Sequence, residues 1–522
     1  MREASHAYSA MRQLGADLAA AGYPTLRFDY PAAGNSLDGD LNHGGLHWTA
    51  WQRSIEGAIE WLRAVCRART VVLCGFATGG TLAALVTARR SDVAGLLLLE
   101  PVIVGRNLVR QLGLEADLQR DEDAPREQGL EIREMRFGPL TVAQIAGTDL
   151  RELVLPAGLK VAIFAKADSQ AADDCARAWS DRGIAASRHG FDGMHGLLGT
   201  EPLDEVPLAD FTAAIDWLEQ AIPAGPVAGQ PISLPVFVLQ PPGCIDAPLR
   251  FGPESRLFGM LCRPARGHSD DVVLIPSNGR EPSSGAARQN VALARRLAEA
   301  GIASFRFDFA GLGDSLGPPG KEHVCGPAFA DRTDDIRAAI DTLAGLGFSR
   351  FAGHGLGLGA YHALQAAVVE PRLSTLILTN LPLFTAPASD AASPLEPRSR
   401  STVEVLLRAA RLHVRNRIVA RLARMARRFG RGSQQSFAHR AMAALSQRGV
   451  RTLYLFSAGP RNIEAFAAEF GADGHGLAVY PGAAMRVIPG MDPSLTVTAG
   501  RLPAETLMVE FVLAGRAEKS AR

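Results

Sequence analysis

Lysine is nearly missing from these 522 residues: it stands only at positions 160, 166, 321 and 519, among 55 basic residues in all. Arginine supplies the rest, which points first to a GC-rich coding sequence. Fifty-four acidic residues balance the basic ones to a formal charge of +1, so the molecule as a whole is not built to bind nucleic acid. Cysteine is scarce too. Cys66, Cys74, Cys175, Cys244, Cys262 and Cys325 form no CxxC pair and no zinc-spaced cluster with histidine. No metal or cofactor is expected, and reduced thiols in the cytoplasm are. No apolar run approaches the ~18–20 residues of a membrane span. The first 22 residues lack the apolar core of a signal peptide. Disorder is excluded by a hydrophobic fraction of 47%.

What is present is an internal repeat. Residues 22–36 read GYPTLRFDYPAAGNS and residues 301–315 read GIASFRFDFAGLGDS. Gly22, Arg27, Phe28, Asp29, Gly34 and Ser36 return as Gly301, Arg306, Phe307, Asp308, Gly313 and Ser315, at a constant offset. Further on, VVLCGFATGGTLAAL (71–85) matches RFAGHGLGLGAYHAL (350–364). Each half alternates short apolar strands with amphipathic helices, the pattern of a mostly parallel sheet covered on both faces. The expected organisation is 1–221, a Pro/Gly-rich linker at 222–248, and 249–522.

The junctions Gly75–Gly79 and Gly355–Gly359 stand where a nucleophile elbow would. With the two RFDxxxxGxS loops, PVIVGRNLVRQL (101–112), GLGLGAY (355–361) and GMDPSLT (490–496), they make each half resemble an α/β hydrolase. The closer resemblance is to the serine-aminopeptidase-like hydrolases of bacterial surface-polysaccharide and exosortase gene neighbourhoods. It implies a nucleophile on the elbow, an acid after the next-to-last strand and a histidine after the last. It also implies a cap between the sixth strand and the acid-bearing strand, about 105–155 in the first half and 385–445 in the second.

The implied positions are largely empty of chemistry. The elbow residues are Ala77 and Gly357; Thr78 is one position too late, and Cys74 should face the core. Pro460 and Pro493 occupy the second half's acid and base positions, and the adjacent Asp492 cannot act as an imidazole near neutral pH. In the first half, Asp168 and His195 are a remnant acid–base pair, with His189 as a weaker alternative. A surviving structural hydrogen bond is preferred over a water-activating dyad. Asn278 and Gly279 form the oxyanion loop of the second half. The first half has no strand or loop equivalent to DVVLIPSNGR (271–280), and a late start of the sequence is expected from this. The linker strand PVFVLQ (235–240) is a poor substitute.

The first cap contains the acidic run EADLQRDEDAPREQGLE (115–131) and should be loop-rich. The second holds eleven arginines between Arg398 and Arg431. Arg417, Arg421, Arg424 and Arg428 repeat at helical spacing beside Ile418, Leu422, Met425 and Phe429. A solvated cap helix is the preferred reading; an anionic membrane surface, an acidic polysaccharide or an acidic carrier protein are the alternatives. The sequence reads as a tandem α/β-hydrolase-like protein without nucleophiles, binding a small molecule or an acyl or carrier-protein partner. An active hydrolase or acyltransferase with a non-standard nucleophile is the second reading. The preferred cap reading predicts that charge reversal at Arg417, Arg421, Arg424 and Arg428 leaves sedimentation with anionic vesicles unchanged. A salt-sensitive loss on reversal would instead establish a polyanion-binding face.

Overall fold

The computed structural model describes residues 2–38, 47–119, 130–132, 135–193, 206–225, 237–267, 269–279, 281–387 and 436–520. In the first half the elements are α1 (Arg2–Ala20), α2 (His47–Cys66), β1 (Val71–Phe76), α3 (Thr78–Thr87), β2 (Val93–Leu99), α4 (Gly105–Gln119), β3 (Leu130–Ile132), β4 (Met135–Phe137), α5 (Pro139–Ala146), β5 (Lys160–Ala165), α6 (Gln170–Ser180), β6 (Ala185–Gly190) and α7 (Leu208–Ala221). In the second they are β7 (Cys244–Phe251), β8 (Leu257–Pro264), β9 (Asp271–Pro276), α8 (Gln289–Glu299), β10 (Ala303–Asp308), α9 (Thr333–Gly345), β11 (Arg350–Leu356), α10 (Leu358–Val369), β12 (Leu373–Thr379), α11 (Phe437–Gln447), β13 (Arg451–Ser457), α12 (Pro460–Phe470), β14 (Ala483–Ile488) and α13 (Thr498–Ser520). No helix among the described residues is long and apolar enough to cross a membrane.

Two sheets carry the fold. The second runs β14-β13-β12-β11-β9-β10-β8-β7. β8 is antiparallel to both β7 and β10, and the other pairings are parallel. The first sheet, β1-β2-β5-β6, is parallel throughout. Both are covered on two faces, so β2 is apolar without alternation: Leu96 and Leu98 enter one core, Leu97 and Leu99 the other. β12 divides likewise, Leu376 and Leu378 from Ile377. The ladders also share an irregularity. β1–β2 slips between Val71 and Val72, and β11–β12 slips between Phe351 and Ala352, the equivalent place.

The halves differ at one edge. In the second, β9 lies between β10 and β11 and is buried along its whole length. In the first, no described strand takes that place. Residues 24–30, the counterpart of β10, are left without a ladder, although the RFDY stretch (27–30) reads as a strand. β1 has no described neighbour on that side, and Cys74 is accessible there although the protein around it pushes its thiol pKa up to about 12. The linker strand does not fill the gap. Leu239 bridges Asp246 of β7, and Phe237 rests against Trp61 at 6.2 Å. The second sheet begins at Cys244, inside the stretch read as linker. The first cap is less loop-like than its composition suggests, since α4, the β3–β4 hairpin and α5 belong to it. Residues 120–129, most of its acidic run, lie outside the described residues, as do the arginines at 417, 421, 424 and 428.

The repeated RFDxxxxGxS motif is a closed loop in both halves. Asp29 accepts the Asn35 N–H at 2.9 Å, and Ser36 Oγ returns a bond to the Asp29 carbonyl at 2.7 Å. Asp308 accepts from Asp314 N at 3.1 Å and Ser283 N at 2.6 Å, and Ser315 Oγ donates to the Asp308 carbonyl at 2.6 Å. Gly34 and Gly313 share a φ of 49°, and a Cβ on either would stand 2.2 Å from the carboxylate it encloses. Gly313→Ala should therefore destabilise by more than the roughly 1–3 kcal/mol of a left-handed non-glycine residue. Chemical denaturation is the check, with Gly345→Ala, where a methyl meets nothing within 4 Å, as the neutral control.

Candidate functional site

Both strand-to-helix turns share one backbone shape and carry no nucleophilic side chain at the tip. Ala77 sits at φ 48°, ψ −121°, and Gly357 at φ 56°, ψ −120°. Each donates its N–H to the end of the neighbouring strand: Ala77 to Leu99 O at 2.8 Å, Gly357 to Thr379 O at 2.9 Å. The flanking glycines are forced by contact. A Cβ on Gly355 would come within 2.3 Å of the Gly359 backbone, and one on Gly75 within 2.5 Å of Gly80 N. Helix and strand touch there, which fixes the turn whatever residue stands at its tip. Ala77 presents a buried methyl, and Gly357 presents nothing. Thr78 is the first residue of α3 and half-buried.

Above the second elbow the space is filled. Asn278 follows β9, and its Oδ1 accepts the Leu358 N–H at 3.1 Å. Leu358 N is the donor that an oxyanion would use, since it follows the elbow residue. The same Oδ1 lies 2.8 Å from where a Cβ on Gly357 would be. Gly279, at φ 60°, continues the loop.

The strand ends beyond are tied by structural bonds. Asn380, at φ 49°, accepts from Ser457 N at 2.9 Å and donates from Nδ2 to Pro493 O at 3.0 Å. It thus links the ends of β12 and β13 to the loop after β14. Pro460 opens α12. Asp492 is engaged by Val497 N at 2.8 Å, Thr496 Oγ1 at 2.9 Å and Ser494 N at 3.2 Å, holding its own loop. Sequence reasoning passed over Asn380. An asparagine directly after a buried strand is a sign of a left-handed turn and was the available signal.

In the first half, Asp168 stands exposed in the turn between β5 and α6. His195 lies outside the described residues. His189 is a strand residue of β6, its ring stacked 4.6 Å from Phe164 and its Nε2 2.8 Å from Ser187 Oγ. Burial, then Arg188, lowers its pKa. The carboxylate that reaches the strand ends is that of Glu100, at φ 47°, the counterpart of Asn380; it accepts the Lys166 N–H at 2.6 Å.

A cleft of about 330 Å³ opens beside the second elbow. Asn278, Gly279 and Leu358 form one wall; Phe309, Arg332 and His362 form the other, with Cys325 at the rim. His362 sits one turn into α10 with Nε2 3.1 Å from the Ala328 carbonyl. Arg332 lies over the Phe309 ring at 5.8 Å and donates to the Ala310 and Cys325 carbonyls. Of the second wall, Phe309 and Arg332 come from the loop between β10 and α9, where no periodicity marks a pocket, and His362 comes from α10. Among the described residues no group of three or more His, Cys, Asp or Glu side chains is placed to hold a metal.

No family model matches the chain, and none of the curated proteins matches it. Solved structures resemble about half of it. The Est1E protein of Butyrivibrio proteoclasticus, solved with ferulic acid, is 17% identical over 54% of this chain and 99% of its own, at a TM-score of 0.34. A dienelactone hydrolase of Anabaena variabilis is 14% identical over 52% and 98%, at 0.33. An α/β serine hydrolase homologue of Coxiella burnetii is 15% identical over 54% and 99%, at 0.30. Likenesses of this size carry nothing about chemistry. The strand order carries the fold: counted within the second half, the strands run 1-2-4-3-5-6-7-8 with the second antiparallel, the order of an α/β hydrolase.

Burial, then Arg332, pushes the His362 pKa down from 6.5 to about 4. A group lowered on folding leaves the unfolded chain holding more protons between those values, so its contribution is lost as pH falls from 6.5 to 4. Buried His354, also near 4, acts in the same direction. Buried Asp308, raised to about 7, acts oppositely, since its protonated form favours the fold as pH falls. His362→Asn should flatten the acid loss of thermal stability between pH 6.5 and 4. Equal slopes for variant and parent would show that His362 is not held neutral.

Proposed function

We propose that the chain is a tandem pair of α/β-hydrolase-like domains, 1–221 and 249–522, joined by the linker 222–248, and that it binds rather than turns over its ligand. One observation carries this reading: Asn278 occupies the space above Gly357 and takes the Leu358 N–H. Nucleophile and oxyanion donor are then both out of use, while the cleft beside them stays open. An unfilled amide would be expected if an acyl oxyanion had to bind there, because preorganised donors work by being free at the moment of reaction. Asn380, Asp492 and Pro493 support the same reading, being committed to loop geometry.

The cleft's mixed lining, with apolar Phe309, Leu312 and Leu358 beside Asn278 and His362, suits a small amphiphile such as an acyl metabolite. The family resemblance supports a place in bacterial surface-polysaccharide or acyl metabolism, with a free acyl group or one on a carrier protein as the partner.

The test is a broad ester and thioester panel on the intact chain, run alongside a thermal-shift screen of short acyl compounds. Stabilisation by an acyl compound that Leu358→Arg removes, without turnover, is the expected result. Turnover abolished by Asp168→Asn or His195→Ala would overturn the reading in favour of a hydrolase or acyltransferase. Gly357→Ser is expected to leave the chain unlabelled by a fluorophosphonate, and to destabilise it by roughly 1–3 kcal/mol from the left-handed backbone alone.

A further inference from the structure

One contact between the two halves recurs with its partners exchanged. Arg27 binds Asp314. Shift each partner to its counterpart in the other half and the pair becomes Arg306 with Asn35. That contact is present, with Arg306 NH2 3.5 Å from Asn35 Oδ1. The segments that precede the two motifs do not exchange contacts residue for residue, but each meets the motif of the opposite half. On the first half's side, Tyr8 Oη donates to Asp314 at 2.9 Å, Ser9 Oγ to Gly311 O at 3.4 Å, and Arg12 to the carbonyls of Ser315 and Glu322. On the second half's side, Arg288, the counterpart of Ser9, donates to Gly34 O at 2.9 Å and to Ser36 O, and it pairs with Asp38. Arg295 adds a bond to Asp38 at 2.6 Å.

We infer that the RFDxxxxGxS loop is an assembly surface whose partner is a second copy of itself, and that the two halves are joined by it as an isologous, two-fold-related pair. An isologous contact puts the same patch on both sides, so a cross-contact on the shared patch appears twice with its partners exchanged. Non-homologous packing has no reason to pair residue 27 with 314 and 306 with 35. The loop's chemistry fits this role. Its Asp and Ser are used internally to close it, which leaves the Arg and the residue before the Ser to face outward. One contact has lost its charge. Position 314 is Asp but position 35 is Asn, so Arg306 meets a neutral amide across the boundary. Arg306 is fully buried, with Asp246 at 3.4 Å within its own half. Its Nε has no hydrogen-bond partner.

This inference rests on the equivalence of the halves and not on whether the cleft binds or hydrolyses a ligand. The test is made on the full chain carrying a protease site in the linker at 226–236, cut after folding, with the association of the two pieces read by gel filtration and by dilution. The nicked parent should stay associated. Arg27→Glu should speed dissociation by about tenfold or more, as loss of a paired charge does at interfaces. Asn35→Asp should slow it, because it gives Arg306 the carboxylate that Arg27 already has. Slower dissociation cannot come from misfolding, so this variant keeps the test sound if Arg27→Glu fails to fold. Pieces of the parent that separate at once, or an Asn35→Asp variant that dissociates no more slowly, would overturn the proposal.

Discussion

A buried carboxylate that must be supplied with backbone N–H groups organises the second half. Asp308 ends β10 with almost no exposure, and burial, then the charge of Asp314, raises its pKa to about 7. Its oxygens are satisfied by Ser283 N and Asp314 N, one from each side of the strand end. The Asp314 bond shapes the loop that carries Phe309 and Leu312 into the cleft and turns Asp314 toward the first half. Ser315, at the end of that loop, accepts from Phe258 N at 2.8 Å and so anchors β8. Sheet edge, cleft wall and domain boundary therefore share one electrostatic requirement. An unpaired carboxylate at this depth is among the larger penalties a fold can carry.

Much of the fold was legible because it is written in backbone constraints. The glycines at 34, 75, 313 and 355 mark close approaches that no other residue allows, and each recurs in its copy. Continuous apolar runs such as 93–99 follow from sheets buried on both faces. What could not be read were properties set by an absent neighbour or by loops. Cys74 on its strand has the pattern of a core residue, and it is accessible where β1 has no described partner beyond it. The strand expected at 27–30 fails for the same reason, since a β propensity without a ladder does not make a strand. The vacant elbow positions could be named from the sequence. That Asn278 fills the space above one of them could not, because the contact joins residues 80 apart through side-chain direction.

The two halves have met the same requirement differently. After β2 in the first half and β12 in the second, a residue with positive φ sends its side chain to the end of the next strand. It is Glu100 in one and Asn380 in the other. A carboxylate can only accept, and Glu100 takes the Lys166 N–H. An amide can accept and donate, so Asn380 reaches both Ser457 and the loop at Pro493. Among the described residues, the strand ends of the second half are the more completely cross-braced.

Ala77 carries more constraint than its single methyl suggests. An alanine at φ 48°, ψ −121° is held in a conformation its own backbone disfavours, with no reacting atom to justify it. The turn persists because strand and helix meet at Gly75 and Gly80, and that packing would be lost before the strain was relieved. Tension at such a turn therefore comes from architecture and needs no reacting atom. A glycine at the same place, as at 357, takes the same turn without that strain. By this measure the turn at 77 carries a backbone cost that the turn at 357 is spared.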